Sequence, residues 1–535
     1  MTVAKSHQVV FVGSGINSMI GAALLAVRGK RVLVLERNDR LGGCIRTEEL
    51  FPGFTHEVLS SWHSLLAGSP AYAELEPELR KRGVEVLPSK YSTGWVHPNG
   101  QGIALTRDLD DACERLEKIA PGDGLAFKNA VSKVMGEDAG LIFTLLGKDP
   151  YGLSMLKPLF QAWRKRGVDG LLTFATESLE NFHRWSERTF TSSEVRTLIA
   201  PWTLHSGLGP DDACSALIGK LTFASVVTAG MPVIKGGGSR LVDALASIIE
   251  AKGGAVRTNC DVVRINTDGQ GTRERATGVT LSDGSQFQAS ESVVCNVTPE
   301  KLYGKLIEYS PKAVRDHANG YRYGRGCMQI HFALSAKPRW LTEELGEVPL
   351  VHMTESMEQT CLSVTEANNG LLPSKPTLGI GQPVVVDKSR APDGSWILWI
   401  QMQELPTTLK GDAAGEIATP ADGKWNDQVR EAFADRVQKR LEQVMPGLSS
   451  IVIGRKTFSP ADLERLNCNL VGGDPYSGIC SPDQFFWLRP FASTHGARSN
   501  STTLKNVYHI GASTHPGPGL GAGSGILVAD KLSRR

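Results

Sequence analysis

The residues whose types and spacing suit chemistry crowd the two ends of the chain. Near the start, Gly13, Ser14 and Gly15 lead into Ile16, Asn17 and Ser18, and Glu36 follows about 20 residues later. Gly13 permits a tight turn. Gly15 carries no side chain, so a pyrophosphate can reach free backbone N–H groups at a helix start. Ser18 stands where the usual third glycine would be and is small enough to keep helix and strand close. Glu36, with Arg37 beside it, can accept hydrogen bonds from a ribose diol. Gly42 and Gly43 allow a second close approach to phosphate, and Arg46 can supply positive charge. At the other end, Gly511, Thr514-His515-Pro516-Gly517 and Gly519-Leu520-Gly521 precede a C-terminal helix. They form a second helix start that tolerates negative charge. Together these residues predict a bound dinucleotide.

His515 is the best polar candidate for acid–base work; the alternative reading is that His515 and Pro516 shape the turn. His56 and His63 titrate near neutral pH but suit structural hydrogen bonding better. No serine or cysteine nucleophile arrangement is evident, and no metal ligand is expected.

Elements must position these residues. Residues 9–12 are a short β-branched and aromatic run, 20–27 an Ala/Leu-rich helix stopped at Gly29, and 32–35 a second strand. Strand, helix and strand make a βαβ unit with its two strands parallel. A helix at 241–251 stops at Gly253-Gly254, and 255–265 reads as strands with Val262 and Val263 at the centre. Residues 277–281 and 286–295 continue as a hairpin through the turn 282–285. Helical periods dominate 84–224. Within it, the apolar run 151–163 leads into Arg164, Lys165 and Arg166, and Pro158 interrupts any long helix. Strands are expected at 329–334, 377–386, 396–401 and 451–455, and helices at 425–444 and 526–532.

Gly13-x-Gly15, Glu36, Gly42-Gly43 and Arg46-Thr47 resemble the FAD-binding start of the phytoene desaturase and amine oxidase superfamily. Gly511 and Thr514 to Gly517 resemble the phytoene desaturase-like branch, which includes carotenoid isomerases. Many members carry Arg directly after Gly-Gly; here that residue is Cys44, and the phosphate role passes to Arg46. The resemblance implies a two-domain α/β flavoprotein with a Rossmann-like FAD domain and a mixed α+β substrate domain. The FAD domain would comprise 1–75, 225–300 and 455–535, and the substrate domain 76–224 and 301–454. It implies that the segment around Ser60 enters the site near the flavin, that backbone near Val263 holds the adenine edge, and that Gly519, Leu520 and Gly521 face a flavin whose reduced form is negative near N1. The implied reaction is desaturation of a largely apolar molecule by hydride transfer to flavin N5. The alternative is an amine oxidase making an imine and hydrogen peroxide. Monoamine oxidases often attach flavin through a cysteine after a Gly-Gly pair and set aromatics against it. Asp474 and Leu520 stand at those positions here, so FAD is expected to be non-covalent and an amine cage is disfavoured.

The chain has 535 residues, enough for two or three packed units. Its 58 basic and 56 acidic residues give a net charge of +2, so no strong field for nucleic acid follows. Nine scattered cysteines without a paired spacing read as reduced thiols, and the first strand begins too early for a signal peptide; both suggest a cytoplasmic protein. Expected partners are an apolar substrate and an electron acceptor, oxygen or quinone. The run 151–163 suits three uses: cavity wall, contact with a second copy, or docking on a membrane surface.

Overall fold

The structure is a computed structural model and describes residues 7–269, 274–491, 496–519 and 521–534. Two seven-stranded sheets organise it. The first runs in the order Val262–Asp268, Arg275–Leu281, Gln286–Cys295, His7–Val12, Val32–Leu35 and Ala255–Arg257, with Val507–His509 also paired to Gln286–Cys295. His7–Val12 is parallel to Val32–Leu35, with Val10 opposite Leu33. The strand Gln286–Cys295 has two roles. Its first half pairs antiparallel with Arg275–Leu281, and its second half runs parallel to His7–Val12.

Alternation assigns the side chains of this sheet to two cores. Val9, Phe11, Val32 and Val34 pack on the helices Ile16–Val27, Ser239–Ala251 and Gly523–Ser533. Val10, Val12, Leu33 and Leu35 pack on the hairpin strands and on Tyr303 and Leu306. Burial on both faces is what makes the central strands read as unbroken apolar runs.

The second sheet runs Val452–Phe458, Gly326–Leu334, Trp396–Leu405, Leu378–Gly381, Leu350–Met353, Tyr91–Val96 and Gly102–Thr106. Helix Asp427–Val444 covers one face, setting Phe433, Val437 and Leu441 among Ile330, Phe332, Leu398 and Ile400. The period of two then sends Gln329, Trp399, Gln401 and Gln403 to the opposite face. That face looks into the interior of the molecule.

Three local expectations need correction. The stretch 84–224 is not helical throughout: Tyr91–Val96 and Gly102–Thr106 are strands. All six residues of Tyr91–Val96 are buried, so no alternation marked them. The strand expected at 377–386 stops at Gly381, because Pro383 has no N–H for a ladder and begins a 3₁₀ turn. Pro158 breaks nothing. It lies in the first turn of the helix Leu156–Leu179, where no intrahelical donor is needed. The break falls instead at Gly167, with φ 67° and ψ −176°.

Candidate active site

Glu36 ends the strand Val32–Leu35 and binds the two glycine turns together. Its Oε2 accepts from Ser14 N at 2.9 Å and Ser14 Oγ at 2.7 Å, and its Oε1 accepts from Asn38 N at 2.9 Å. Ser14 Oγ in turn accepts from Gly42 N at 3.1 Å. Backbone meets backbone here: a Cβ on Gly43 would lie 3.1 Å from Gly15 Cα, and Gly43 has φ +61°. The helix Ile16–Val27 begins at Gly15 with no side-chain cap, so its first N–H groups are available to an anion.

A second helix start, Gly523–Ser533, has no cap from its own N-cap residue, Ala522. Asn17 ties the two starts together, its Oδ1 accepting from Ser524 Oγ at 2.7 Å and Gly525 N at 3.3 Å. Ser524 Oγ also accepts from Gly511 N at 2.9 Å. The helices cross so closely that a Cβ on Gly525 would lie 2.0 Å from Asn17 O.

Both starts open on one cavity of about 1200 Å³. Gly13, Gly15, Ile16, Asn17, Glu36, Arg37, Gly43, Ser60, Val263, Gly519 and Gly521 line it. Ser18, Gly42 and Gly511 stand behind the lining: Ser18 Oγ accepts from Asn296 Nδ2 at 3.2 Å, and the other two act through the bonds above. Leu520 lies outside the described residues. Arg46 does not line the cavity; its guanidinium is paired with Glu48. The expected phosphate role for Arg46 therefore has no geometric support. His515 also moves out of the candidate list. Its ring is fully buried, its Nε2 meets Lys148 O at 3.0 Å, and it does not line the cavity. Burial lowers its pKa, which favours the neutral ring. His56 and His63 are likewise buried off the cavity, with burial taking His56 down to about 3.

Sequence reading missed several lining residues. Asn296 and Thr298 follow the end of the strand Gln286–Cys295, the same strand-end logic that singled out Glu36. Lys301, Lys305, Asn467, Cys468 and Asn469 reach the cavity from elements distant in sequence, with Lys301 Nζ donating to Cys468 O. No local motif marks them. His183, Asp211 and Cys361 form another unforeseen group, with ligand atoms within 4.8 Å of one another, away from the cavity.

The far half of the cavity differs in chemistry. Trp62, Leu65, Phe143, Leu146, Ile218, Leu221, Val226, Met231, Phe485 and Phe486 make it largely apolar. The charged lining residues among those described are Glu36, Arg37, Asp261, Lys301 and Lys305, and all belong to the near half. The second sheet supplies a polar wall. Gln329 is internally satisfied, donating to Leu59 O and accepting from Trp399 Nε1, each at 2.8 Å. His205 and His352 meet Nε2 to Nε2 at 2.8 Å, and Trp202 stacks on His205 at 4.7 Å between centroids. Burial lowers His205 to about 4 and holds His352 well below its ordinary value, so the pair is neutral. Asp474 is buried off the cavity and accepts from the backbone N–H groups of Gly324, Tyr476 and Gly478, each at 2.8 Å.

An anion cradle built from two helix starts, an acidic strand end for a ribose, and a long cavity continuing into an apolar chamber fit a flavin dinucleotide and define a flavin-dependent oxidoreductase. The chain belongs to the flavin containing amine oxidoreductase family, whose model matches residues 19–517. It is 25% identical to mouse (Mus musculus) pyridine nucleotide-disulfide oxidoreductase domain-containing protein 2, over 99% of this chain and 93% of that one. It is 24% identical to the 4,4'-diapophytoene desaturase of Staphylococcus haemolyticus, over 96% of this chain and 95% of that one. It shares its fold with cyclohexylamine oxidase from Brevibacterium oxydans, with a TM-score of 0.55, 16% identity and coverage of 99% and 98%. The protein is thus an FAD-dependent oxidoreductase.

Proposed function

We propose that the protein dehydrogenates a largely apolar small molecule, leaving a new double bond. The observation that carries this reading is the segregation of charge along the cavity: among the described residues, no charged side chain lines the substrate half. Bound FAD supplies the hydride acceptor. The chain supplies the cradle at Gly13–Asn17 and Gly521–Gly523, the ribose acceptor Glu36, and walls that exclude water. Apolar walls bind by area, at about 25 cal/mol per Å². An ammonium ion entering here would lose its hydration with no carboxylate to replace it. Trp202 offers it little, because His205 already covers one face of the indole. Anaerobic stopped-flow mixing tests the reading. Rapid flavin bleaching by an apolar carbon substrate supports it, and bleaching by simple amines alone overturns it.

We further propose that the substrate half opens toward a membrane surface. The supporting observation is the start of the helix Leu156–Leu179, whose Leu156, Leu159, Phe160 and Trp163 are exposed along one stripe, with Leu153 85% exposed just before it. Lys157, Arg164 and Lys165 are exposed on the same segment, suiting anionic headgroups. Phe143 of the neighbouring helix Ala139–Gly147 is itself exposed and lines the cavity. No helix among the described residues is long and apolar enough to cross a bilayer, so contact would be at the surface. Co-sedimentation with phosphatidylglycerol vesicles is expected for the wild type and should be lost in Phe160→Glu/Trp163→Glu. Equal recovery of the two proteins would remove this reading.

A further inference from the structure

The polar wall of the substrate half contains a chain of hydrogen bonds whose direction can be deduced. Tyr476 Oη lies 2.6 Å from Leu204 O, a carbonyl that can only accept, so the single phenolic proton is spent there. Gln403 Nε2 lies 2.9 Å from the same Oη. The phenol has no second proton, so it accepts from Gln403, and this fixes which end of the amide is nitrogen. The remaining Nε2 proton points between Gln401 Oε1 at 3.3 Å and His205 Nδ1 at 3.4 Å. His205 Nδ1 is thereby an acceptor, and its proton sits on Nε2, where it donates to His352 Nε2 at 2.8 Å.

One acceptor is left over. Gln403 Oε1 accepts no hydrogen bond from the described residues, and Gln403 lines the cavity. Of the glutamines beside it on the second sheet, Gln329 is bonded at both ends, and Gln401 turns its Oε1 toward Gln403. The group is held in place from behind and cannot turn without breaking the bond to Tyr476. A purely hydrocarbon ligand would bury that oxygen unpaired, and a ketone or ester would set acceptor against acceptor. A charged ammonium would find one neutral oxygen and no counter-charge.

We infer that Gln403 Oε1 receives a hydroxyl group: the substrate is a mainly hydrocarbon molecule carrying one uncharged alcohol that donates to this oxygen. The inference rests on the proposed oxidation of an apolar molecule and names the handle by which that molecule is oriented. Gln403 is a specificity residue, and Tyr476 and His205 are positioning residues that set its amide.

The test uses the FAD-loaded enzyme and four probes of one chain length: octane, 2-octanone, 2-octanol and octylammonium. Their dissociation constants are read from flavin absorbance and tryptophan fluorescence. 2-Octanol should bind about tenfold more tightly than 2-octanone, the ratio that one neutral hydrogen bond supports. Gln403→Leu should abolish that preference while keeping its FAD content. Tyr476→Phe frees the amide to turn, so it should raise ketone affinity relative to alcohol, which a merely structural tyrosine would not do. Equal binding of alcohol, ketone and alkane by the wild type overturns the inference, as does a preference that survives both variants or a failure of all four probes to bind. If the alcohol preference is absent while apolar substrates still bleach the flavin, only the hydroxyl handle is lost. If octylammonium alone binds and bleaches the flavin, the dehydrogenase reading falls with it.

Discussion

Glu36 does more than wait for a ribose. Its carboxylate already holds Ser14 and Asn38, and through Ser14 it holds Gly42. Glu36→Ala therefore removes a cofactor acceptor and loosens both glycine turns. The charge-assisted bonds involved are worth about 1.5–3 kcal/mol each. FAD affinity should fall by at least tenfold, seen as flavin lost on gel filtration; unchanged retention would take Glu36 out of the site. Asp474 is a different case. Its carboxylate faces three backbone N–H groups and not the cavity. Burial raises its pKa, while the donated N–H bonds work against that rise. Acid precipitation should accordingly leave intact FAD in the supernatant. Asp474→Ala strands three donors and should cost about 3–5 kcal/mol in urea unfolding.

At the scale of elements, the cofactor cradle depends on how closely two helices cross. Gly21 meets Gly525 O at 3.0 Å from its would-be Cβ, and Gly525 meets Asn17 O at 2.0 Å. Any side chain at 525 must push the helix Gly523–Ser533 off Ile16–Val27 and separate the two helix starts. Overpacking of this kind costs about 1–3 kcal/mol. Gly525→Ala should lower FAD affinity more than it lowers the unfolding midpoint of the apoprotein, since the displaced parts are the two helix starts that open on the cavity. Comparable FAD titrations of variant and wild type would show the crossing to be dispensable. The helix Leu156–Leu179 shows the opposite economy. It packs no side chain to full burial, and its bend at Gly167 leaves the first half free to present an apolar stripe outward.

Over the whole molecule, buried histidines dominate the response to pH. Burial lowers His56 to about 3 and His205 and His509 to about 4, and it holds His331 and His352 well below the ordinary histidine range. Each stays neutral when folded but takes a proton near pH 6.5 when unfolded, so the unfolded state binds more protons below that pH. Their contribution is complete above about pH 6.5 and is lost as pH falls toward 4, at about 1.4 kcal/mol per pH unit for each ring. Asp474 and Glu404, whose carboxyls burial pushes up, run the other way and offset part of the loss. The urea midpoint should drop between pH 7 and pH 4.5; a flat profile would contradict neutral burial of these rings. The local chemistry of the cofactor was legible in the chain itself. Gly13, Gly15 and Glu36 lie in or directly after one βαβ unit, where a few residues set the turn, the helix start and the strand end, and Gly43 follows it closely. Sequence cannot say which way Arg46 and His515 point; in the fold Arg46 pairs with Glu48 and His515 Nε2 meets Lys148 O. The substrate wall was not legible at all. Gln403, His205 and Tyr476 come from separate segments, and each looks like an ordinary polar residue until the second sheet and the turns beside it close on one chamber. Sequence determined the cofactor because its binding rests on local backbone geometry, and only tertiary structure decided the substrate chamber because its polarity arises from contacts between residues far apart in the chain.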